Sequence, residues 1–192
     1  MTPIIYYILS FFLGAIPFAF LYGKIFHRTD IRQQGSGNSG ATNSLRVYGK
    51  KAGILVLLCD VLKGLVPVLL AKHYLEGHSY LIIGLCAILG HIFSPFLKFK
   101  GGKGIATALG VAIASYLPAA LACILVFILV IYFSRMVSLG SILGAFAFLL
   151  YNLFYFSQNP DLVYLSCGLF FLILFTHRKN ISLILQNKEN KI

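Results

Sequence analysis

Long uncharged stretches alternate with short polar stretches along the whole chain. Residues 2–23 carry no charge, and further apolar segments follow at 52–71, 77–97, 136–160 and 162–176. Their lengths are close to the roughly 20 residues that an apolar helix needs to cross a bilayer. The first segment has no basic region before it and no convincing small-residue cleavage site after it, so we expect a retained helix rather than a signal peptide.

A longer uncharged segment, residues 104–134, is too long for one ordinary span and too short for two. Lys103 before it and Arg135 after it both favour the cytoplasmic side, so the segment must cross the membrane an even number of times. Pro118 lies near its middle and can break a helix. The pattern therefore predicts two short helices, 104–116 and 118–134.

Positive charge sets the orientation of these helices. Lys and Arg favour the cytoplasmic side of short loops, and with the N-terminus outside nearly all 16 of them fall there. The exceptions are Lys72, in an outer loop, and Lys63, inside a span. The sequence therefore predicts an all-α integral membrane protein, a single domain over residues 1–192. It has seven transmembrane helices, with the N-terminus outside and the C-terminus in the cytoplasm.

The composition narrows the function classes. Hydrophobic residues make up 59% of the chain and charged residues 11%, so too few polar groups remain to cover a soluble domain. The net charge of +11 is spread without any dense basic run, which argues against nucleic acid as a partner. The residues show no His, Cys and carboxylate cluster, so we predict no metal site. The four cysteines lie in apolar segments, and we expect small buried side chains rather than disulfides or ligands.

Two features inside the spans have structural explanations. Asp60 and Lys63 are ionisable residues within one span, which normally indicates function. They are three residues apart and opposite in sign, so mutual neutralisation is the simpler interpretation. The stretch "GSILG", 140–144, has the Gly-x-x-x-Gly spacing that lets two helices pack closely.

Four polar stretches fall on the cytoplasmic side in this topology. They are "GSGNSGATNSLR" (35–46), "FKGGKGIAT" (99–107), "SRMVSLGS" (134–141) and "THRKN" (176–180). We expect them to meet at one pocket at the membrane interface.

The first stretch has the features of an anion site. Repeated glycines let backbone N–H groups converge on an anion, and Ser36, Asn38, Thr42 and Asn43 add short donors. Arg46 lies one helical turn beyond Thr42 and can bind a phosphate or carboxylate in bidentate fashion. The alternative is an ordinary flexible loop with a helix cap.

The lysine-containing stretch also suggests phosphate. Lys100 and Lys103 flank two glycines, but no Ser or Thr follows Lys103 directly, which argues against a nucleoside triphosphate site. The alternative is an anchor that follows the positive-inside pattern. In the last stretch His177 and Asn180 are three residues apart and are predicted to share a helix face, with an interfacial cap as the alternative for His177.

These stretches resemble a known family. "GSGNSGATN", "GHIFSPFLKFKGGKGIAT" and "THRKNI" are similar, nearly end to end, to the acyl-phosphate-dependent glycerol-3-phosphate acyltransferases of bacteria, the PlsY family. Two departures are local: Ser94 stands where the family usually has proline, and the tail retains Glu189 without the usual Gly-x-Glu.

The resemblance implies an enzyme of the cell (inner) membrane with seven helices and its active site at the cytoplasmic face. Its substrates would be acyl phosphate and glycerol 3-phosphate in membrane lipid, and its products lysophosphatidic acid and phosphate. This is the first step of phospholipid synthesis, and it implies a functional link to the enzyme that produces acyl phosphate. No cofactor is implied. The chain has no His-x-x-x-x-Asp, so the resemblance implies a substrate-assisted route in which the donor's phosphate takes the hydroxyl proton.

The resemblance also implies roles for individual residues. Two cations, Arg46 and Lys103, bind glycerol 3-phosphate and neutralise charge, and two residues of the last stretch, His177 and Asn180, orient the acceptor. Ser141 touches the substrate, with Ser138 as its rival. The groups that hold the acyl-phosphate headgroup all come from the first stretch: Ser36, Gly37, Asn38, Gly40 and Thr42.

Two other function classes fit parts of the pattern. A small phosphate or organic-anion transporter would use the glycine loops as pore lining, but it predicts polar positions on both membrane faces and an inverted repeat. The outer loops are short, and no repeat is visible. A purely structural membrane subunit leaves the glycine and lysine stretches unexplained.

Overall fold

The computed structural model describes residues 3–75, 77, 79–155 and 160–191, and in this part of the chain the secondary structure is helical. Its α-helices are α1 (Pro3–Ala15), α2 (Phe18–His27), α3 (Ala41–Tyr48), α4 (Lys50–Tyr74), α5 (Ser79–Ile92), α6 (Ile105–Ser115), α7 (Leu117–Ser134), α8 (Val137–Tyr155), α9 (Pro160–Thr176) and α10 (Arg178–Leu185). They form two compact units, Met1–Ser115 and Tyr116–Ile192, which are described in turn.

Helix length and apolarity identify the protein as a multi-pass membrane protein. Within the described residues, five helical segments are long and apolar enough to cross a bilayer, and the bent pair α9–α10 makes up to six. The five are Ile4–His27, Lys50–Tyr74, Ser79–Leu97, Leu117–Ser134 and Val137–Tyr155. Helix α6 is apolar but has only 11 residues.

The first span is broken, which the sequence analysis missed by treating residues 2–23 as one uninterrupted helix. Pro17 lacks the N–H that would continue the helix, so α1 ends at Ala15 and α2 begins at Phe18. Side chains satisfy the carbonyl oxygens that the break leaves open. Ser94 Oγ donates to Ala15 O at 2.6 Å, and Lys63 Nζ donates to Ile16 O at 3.0 Å.

The predicted division of residues 104–134 is confirmed. Helix α6 ends at Ser115 and α7 begins at Leu117, with Pro118 in its first turn, where a missing N–H costs nothing. Lys72 was expected in an outer loop and instead lies in the last turn of α4. Its Nζ donates to Ala114 O at 2.9 Å and to Ser115 O at 3.1 Å, which caps the C-terminal end of α6.

Glycines allow α4 and α6 to pack backbone to backbone in the first unit. A Cβ atom on Gly64 would overlap the carbonyl oxygen of Thr107, and one on Gly110 would overlap that of Val61. Small residues at helix crossings are the usual means of close packing in membranes, where burial of apolar surface from water does not drive helix association.

We expect Gly64→Ala to destabilise the protein, because the added methyl group has to separate two backbones. Overpacking of this kind costs about 1–3 kcal/mol. The matched control is Gly168→Ala in α9, where an added Cβ meets no atom within 4 Å. Thermal unfolding in detergent should show a clear drop in Tm for the first variant and little change for the second. Equal Tm values would contradict the packing argument.

In the second unit, α8 packs on α7 through "GSILG", as predicted. A Cβ on Gly140 would lie 3.2 Å from Phe127 O, and one on Gly144 would lie 3.1 Å from Cys123 O. Helix α9 ends at Thr176 as expected, but the chain then bends by 63° into α10, which was not predicted. Large apolar side chains such as Phe133 and Phe154 are exposed, as lipid-facing residues are.

Candidate active site

Asn43 fixes the shape of the glycine-rich loop that precedes α3. Its side chain is 2% exposed, and its Oδ1 accepts a hydrogen bond of 2.9 Å from Ser36 N. Its Nδ2 lies 3.0 Å from both Gln34 O and Asn38 O and 3.3 Å from Ile31 O. From the sequence, Asn43 was predicted to donate to a ligand. In the structure its donors are directed to the loop's own carbonyl groups.

The backbone of this loop also forms hydrogen bonds within the loop. Gly35 and Gly37 have φ values of +57° and +72°, and a Cβ on Gly35 would collide with Asn43 Oδ1. The Gly37 N–H donates to Gln34 O at 3.0 Å. The amides of Ser36 and Gly37 therefore donate within the loop, and the exposed side chain of Ser36 is what remains for a ligand.

The start of α3 provides further donors. Gly40 is the N-cap in extended conformation, and its carbonyl oxygen accepts from Ser44 N at 3.1 Å and from Ser44 Oγ at 3.2 Å. The first-turn amides, including that of Thr42, have no acceptor within the helix, and a helix N-terminus favours negative charge. Arg46 follows Thr42 by one turn, is exposed, and forms no ion pair within the described part of the chain.

A second arginine of this region is engaged elsewhere. Arg32 binds Asp30 in bidentate fashion, with Nη2 donating to Oδ2 at 2.7 Å and Nε to Oδ1 at 3.0 Å. The hydrogen-bonded guanidinium lowers the pKa of the Asp30 carboxyl below its ordinary value, and the carboxylate in turn raises the pKa of Arg32. Arg32 therefore stabilises the turn before the loop, whereas the guanidinium of Arg46 is available to an anion.

The glycines of "FKGGKG" have a packing role. Gly101 N donates to Ile92 O at 3.0 Å, and Gly102 N donates to His91 O at 3.2 Å. A Cβ on Gly101 would overlap His91 O, and one on Gly102 would overlap the His91 ring. These two amides cap the end of α5, so they are not directed at a phosphate as the sequence analysis expected. Lys103, which follows them, is half-buried.

The predicted pairing of Asp60 with Lys63 is confirmed. Lys63 Nζ lies 2.8 Å from Asp60 Oδ1, and both side chains are 2% exposed. A buried charge needs a partner of this kind because the free energy of removing an isolated ion from water exceeds the net stability of a folded protein.

A carboxylate joins two of the predicted residues in the second unit. Glu189 Oε1 accepts from Ser138 Oγ at 2.7 Å and from Asn180 Nδ2 at 2.8 Å. The hydrogen bonds fix the orientation of both side chains, and the serine is nearly fully buried, at 5% exposed. Glu189 was not predicted as a site residue, although it is one of just five acidic residues in the chain.

His177 and Ser141 bond within their own helical segments. His177 lies at the bend between α9 and α10, is 2% exposed, and its Nδ1 is 2.9 Å from Ile173 O. A carbonyl can only accept, so this contact assigns the proton to Nδ1. Ser141 Oγ donates to Val137 O at 2.9 Å in the first turn of α8. His177 is the N-cap of α10, and Asn180 lies within the first turn of that helix.

Comparison with known proteins identifies the chain. The family model described as glycerol-3-phosphate acyltransferase matches residues 4–187. The chain belongs to the glycerol-3-phosphate acyltransferase family. A glycerol-3-phosphate acyltransferase of Fusobacterium nucleatum is 44% identical over 185 residues, covering 96% of this chain and 95% of that protein. Glycerol-3-phosphate acyltransferase 2 of Bacillus anthracis is also 44% identical, with 96% of each chain covered.

Solved structures agree with this assignment to the acyltransferase family. The crystal structure of PlsY (YgiH), an integral membrane glycerol 3-phosphate acyltransferase, in its glycerol 3-phosphate form superimposes with a TM-score of 0.92. The sequences are 36% identical, and the match covers 99% of this chain and 95% of that one. The lysophosphatidic acid form of the same enzyme gives a TM-score of 0.89 at 35% identity. The resemblance to the PlsY family inferred from the sequence is thus confirmed, and the protein is an acyltransferase.

Proposed function

We propose that this chain transfers a fatty acyl group from acyl phosphate to the 1-hydroxyl of glycerol 3-phosphate, yielding lysophosphatidic acid and inorganic phosphate. The acyltransferase domain would comprise residues 1–192. The main support is the end-to-end likeness to an enzyme crystallised in a glycerol 3-phosphate form and in a lysophosphatidic acid form. The structure adds an anion-binding feature, since Arg46 is exposed on α3, one turn beyond Thr42.

The donor headgroup is assigned to the loop before α3. A phosphate can accept from the first-turn amides of α3 and from the hydroxyls of Ser36 and Thr42, while the helix dipole favours its negative charge. Gly37, Asn38 and Gly40 shape the loop around it, and Asn43 keeps that shape before any ligand arrives. A pre-formed loop loses little conformational entropy on binding.

The acceptor is assigned to Arg46 and Lys103, which neutralise the phosphate of glycerol 3-phosphate. His177 and Asn180 orient its hydroxyl, and Ser141 or Ser138 contacts substrate. Of the two serines, Ser138 already donates to Glu189, and Ser141 donates to its own helix. To bind a ligand, each hydroxyl would have to donate to the ligand in place of its present acceptor. Alternatively, it would accept a hydrogen bond from the ligand while keeping that acceptor.

The reaction itself requires little covalent help from the protein. The acceptor hydroxyl oxygen attacks the acyl carbonyl carbon, the bond from that carbon to the phosphate oxygen breaks, and phosphate leaves. The hydroxyl proton passes to the departing phosphate, so no side chain has to act as the base. The protein contributes positioning and stabilises the charge that develops on the carbonyl oxygen and on phosphate.

The acyl chain has an apolar path in the first unit. A groove of about 260 Å³ runs between α2 and α4, lined by apolar and aromatic side chains including Ile25, Phe26 and Leu55. A second groove of about 180 Å³ continues beside it and shares Phe18 and Cys59 with the first. Helix α2 leads directly into the segment that carries the glycine-rich loop, so a chain in this groove can extend from a headgroup bound there.

We further propose seven membrane crossings, with the N-terminus outside and the C-terminus and active site on the cytoplasmic side of the inner membrane. The crossings are the five long helical segments together with α6 and α9. Helix α6 spans only about 16 Å at 1.5 Å per residue, so the bilayer has to be thinned or the ends of the helix hydrated. The distribution of Lys and Arg supports this orientation.

The enzyme in lipid vesicles, supplied with acyl phosphate and glycerol 3-phosphate, should form lysophosphatidic acid and phosphate in equal amounts. Acyl-CoA should give no product.

Glycerol 3-phosphate does not cross a bilayer unaided, so inside-out membrane vesicles should be active and right-side-out vesicles inactive until permeabilised. Product from acyl-CoA would contradict the donor, activity confined to right-side-out vesicles would contradict the orientation, and phosphate flux without acylation would favour a transporter.

A further inference from the structure

His91 lies near the end of α5 and contacts two features of very different kinds. Its side chain is only 6% exposed, and no role was assigned to it by the proposed mechanism. On one side it faces the buried ion pair of α4, and on the other it packs against residues 98–104, which we call the glycine loop.

The ion pair faces the Nδ1 side of the ring. His91 Nδ1 lies 3.7 Å from Asp60 Oδ1, which also contacts Lys63 Nζ at 2.8 Å. A separation of 3.7 Å is too long for a hydrogen bond, and Nδ1 has no hydrogen-bond partner among the described residues. The ring therefore packs against the ion pair without being tied to it by a hydrogen bond.

The ion pair is itself held in place. Lys63 Nζ donates to Ile16 O at 3.0 Å, at the break between α1 and α2, and lies 5.7 Å from the centre of the Phe18 ring. Three elements of the first unit, the break, α4 and α5, therefore meet at this cluster. The cluster is buried and its charges are paired, so the ring packs against a surface to which all three elements contribute.

The glycine loop packs directly on His91. The carbonyl oxygen of His91 accepts from Gly102 N at 3.2 Å, and the space that a side chain on Gly102 would need is occupied by the ring around Nε2. A Cβ on Gly101 would overlap the same carbonyl oxygen. The position of the ring therefore determines how closely the loop approaches α5, and Lys103 is the next residue after Gly102.

We propose that His91 is a positioning residue for acceptor binding: its ring, seated on the Asp60–Lys63 pair, sets the position of the glycine loop and so of the groups that bind glycerol 3-phosphate. This inference rests on the proposed function, in which Lys103 belongs to the acceptor site. His91 itself does not touch the reacting atoms.

Two substitutions distinguish the Nδ1 side of the His91 ring from its Nε2 side. His91→Asn keeps a polar atom at the position of Nδ1, facing Asp60, and removes the part that supports Gly102. His91→Gln places a polar atom at the position of Nε2 and so retains that support. Both replace the imidazole by a neutral amide, so they are matched in polarity and differ by one methylene group.

We expect His91→Asn to raise the KM for glycerol 3-phosphate about tenfold and to leave the KM for acyl phosphate unchanged, because only one substrate depends on the loop. Hydrogen exchange of residues 98–104 should become faster in this variant. His91→Gln should stay close to the wild type in both measurements. A merely structural role would lower the active fraction, and hence the turnover, without changing either KM.

A Lys103→Ala background separates this inference from the assignment of Lys103 to the acceptor site. If both are right, Lys103→Ala alone raises the KM for glycerol 3-phosphate, and adding His91→Asn raises it little further. If Lys103→Ala leaves that KM unchanged while His91→Asn still raises it and speeds exchange, the assignment of Lys103 to the acceptor site is wrong, and His91 positions the loop for other donors. Wild-type KM values in His91→Asn, or equal exchange in the two His91 variants, would overturn the inference.

Discussion

An Arg46→Ala enzyme should lose about one to two orders of magnitude in kcat/KM for glycerol 3-phosphate, because it loses a charge-assisted hydrogen bond to the acceptor's phosphate, worth about 1.5–3 kcal/mol. The guanidinium is exposed on α3 and forms no ion pair in the described part of the molecule, so its removal leaves no buried group without a partner. The melting temperature should therefore change little while turnover falls. Initial rates of phosphate release over a range of glycerol 3-phosphate concentrations measure the effect.

Lys50→Ala is the matched control for Arg46→Ala. Lys50 is also an exposed cation, at the start of α4 and four residues away, and its loss changes the net charge by the same amount. Arg46→Lys should recover only part of the rate, since an ammonium group cannot replace a bidentate guanidinium. Undiminished turnover in Arg46→Ala, or an equal loss in Lys50→Ala, would remove Arg46 from the anion site.

Lys63→Met should be the most destabilising single substitution considered for this protein. It leaves the Asp60 carboxylate buried without its partner, and breaking a buried pair in this way costs about 3–5 kcal/mol. It also removes the donor to Ile16 O at the break in the first span. Thermal unfolding in detergent should show a large drop in Tm, together with poor recovery of folded protein.

The double variant Asp60→Asn with Lys63→Met tests the cause of that loss. It removes both charges, so most of the electrostatic cost should disappear, and what remains measures the contact with the helix break. Asp60→Asn alone should lie between the two, because the lysine keeps its bond to Ile16 O. A double variant as unstable as Lys63→Met would show that the ion pair is not what stabilises this part of the core.

The pattern of apolar segments predicted the helices well because hydrocarbon requires each span to satisfy its own backbone. Pro118 was correctly interpreted as a break, whereas Pro17 was overlooked inside an uncharged stretch that resembled a single span. Helix α10 was missed because only four of its eight residues are apolar and the helix lies beyond the last apolar segment. Ser94, where the family usually has proline, proves to donate to Ala15 O at that same break.

Residue types and spacing do not show which contacts the predicted site residues make in the fold. Residue type and spacing marked the loop before α3, but the bonds of Asn43 to atoms up to 12 residues away depend on how the chain closes on itself. The glycines of "FKGGKG" suggested phosphate approach, and only the close contact with His91 shows their packing role. Glu189 joins Ser138 across 51 residues, a distance over which no local pattern reaches.

The break in the first span has a consequence for biogenesis. The carbonyl groups of Ala15 and Ile16 are satisfied by side chains 79 and 47 residues further along the chain. During synthesis the N-terminal segment therefore enters the bilayer before either donor exists, and an unpaired carbonyl in hydrocarbon costs several kcal/mol. We expect this segment to stay shallow and hydrated until the third long segment has emerged. The first part of the protein to be made is then among the last to be locked in place.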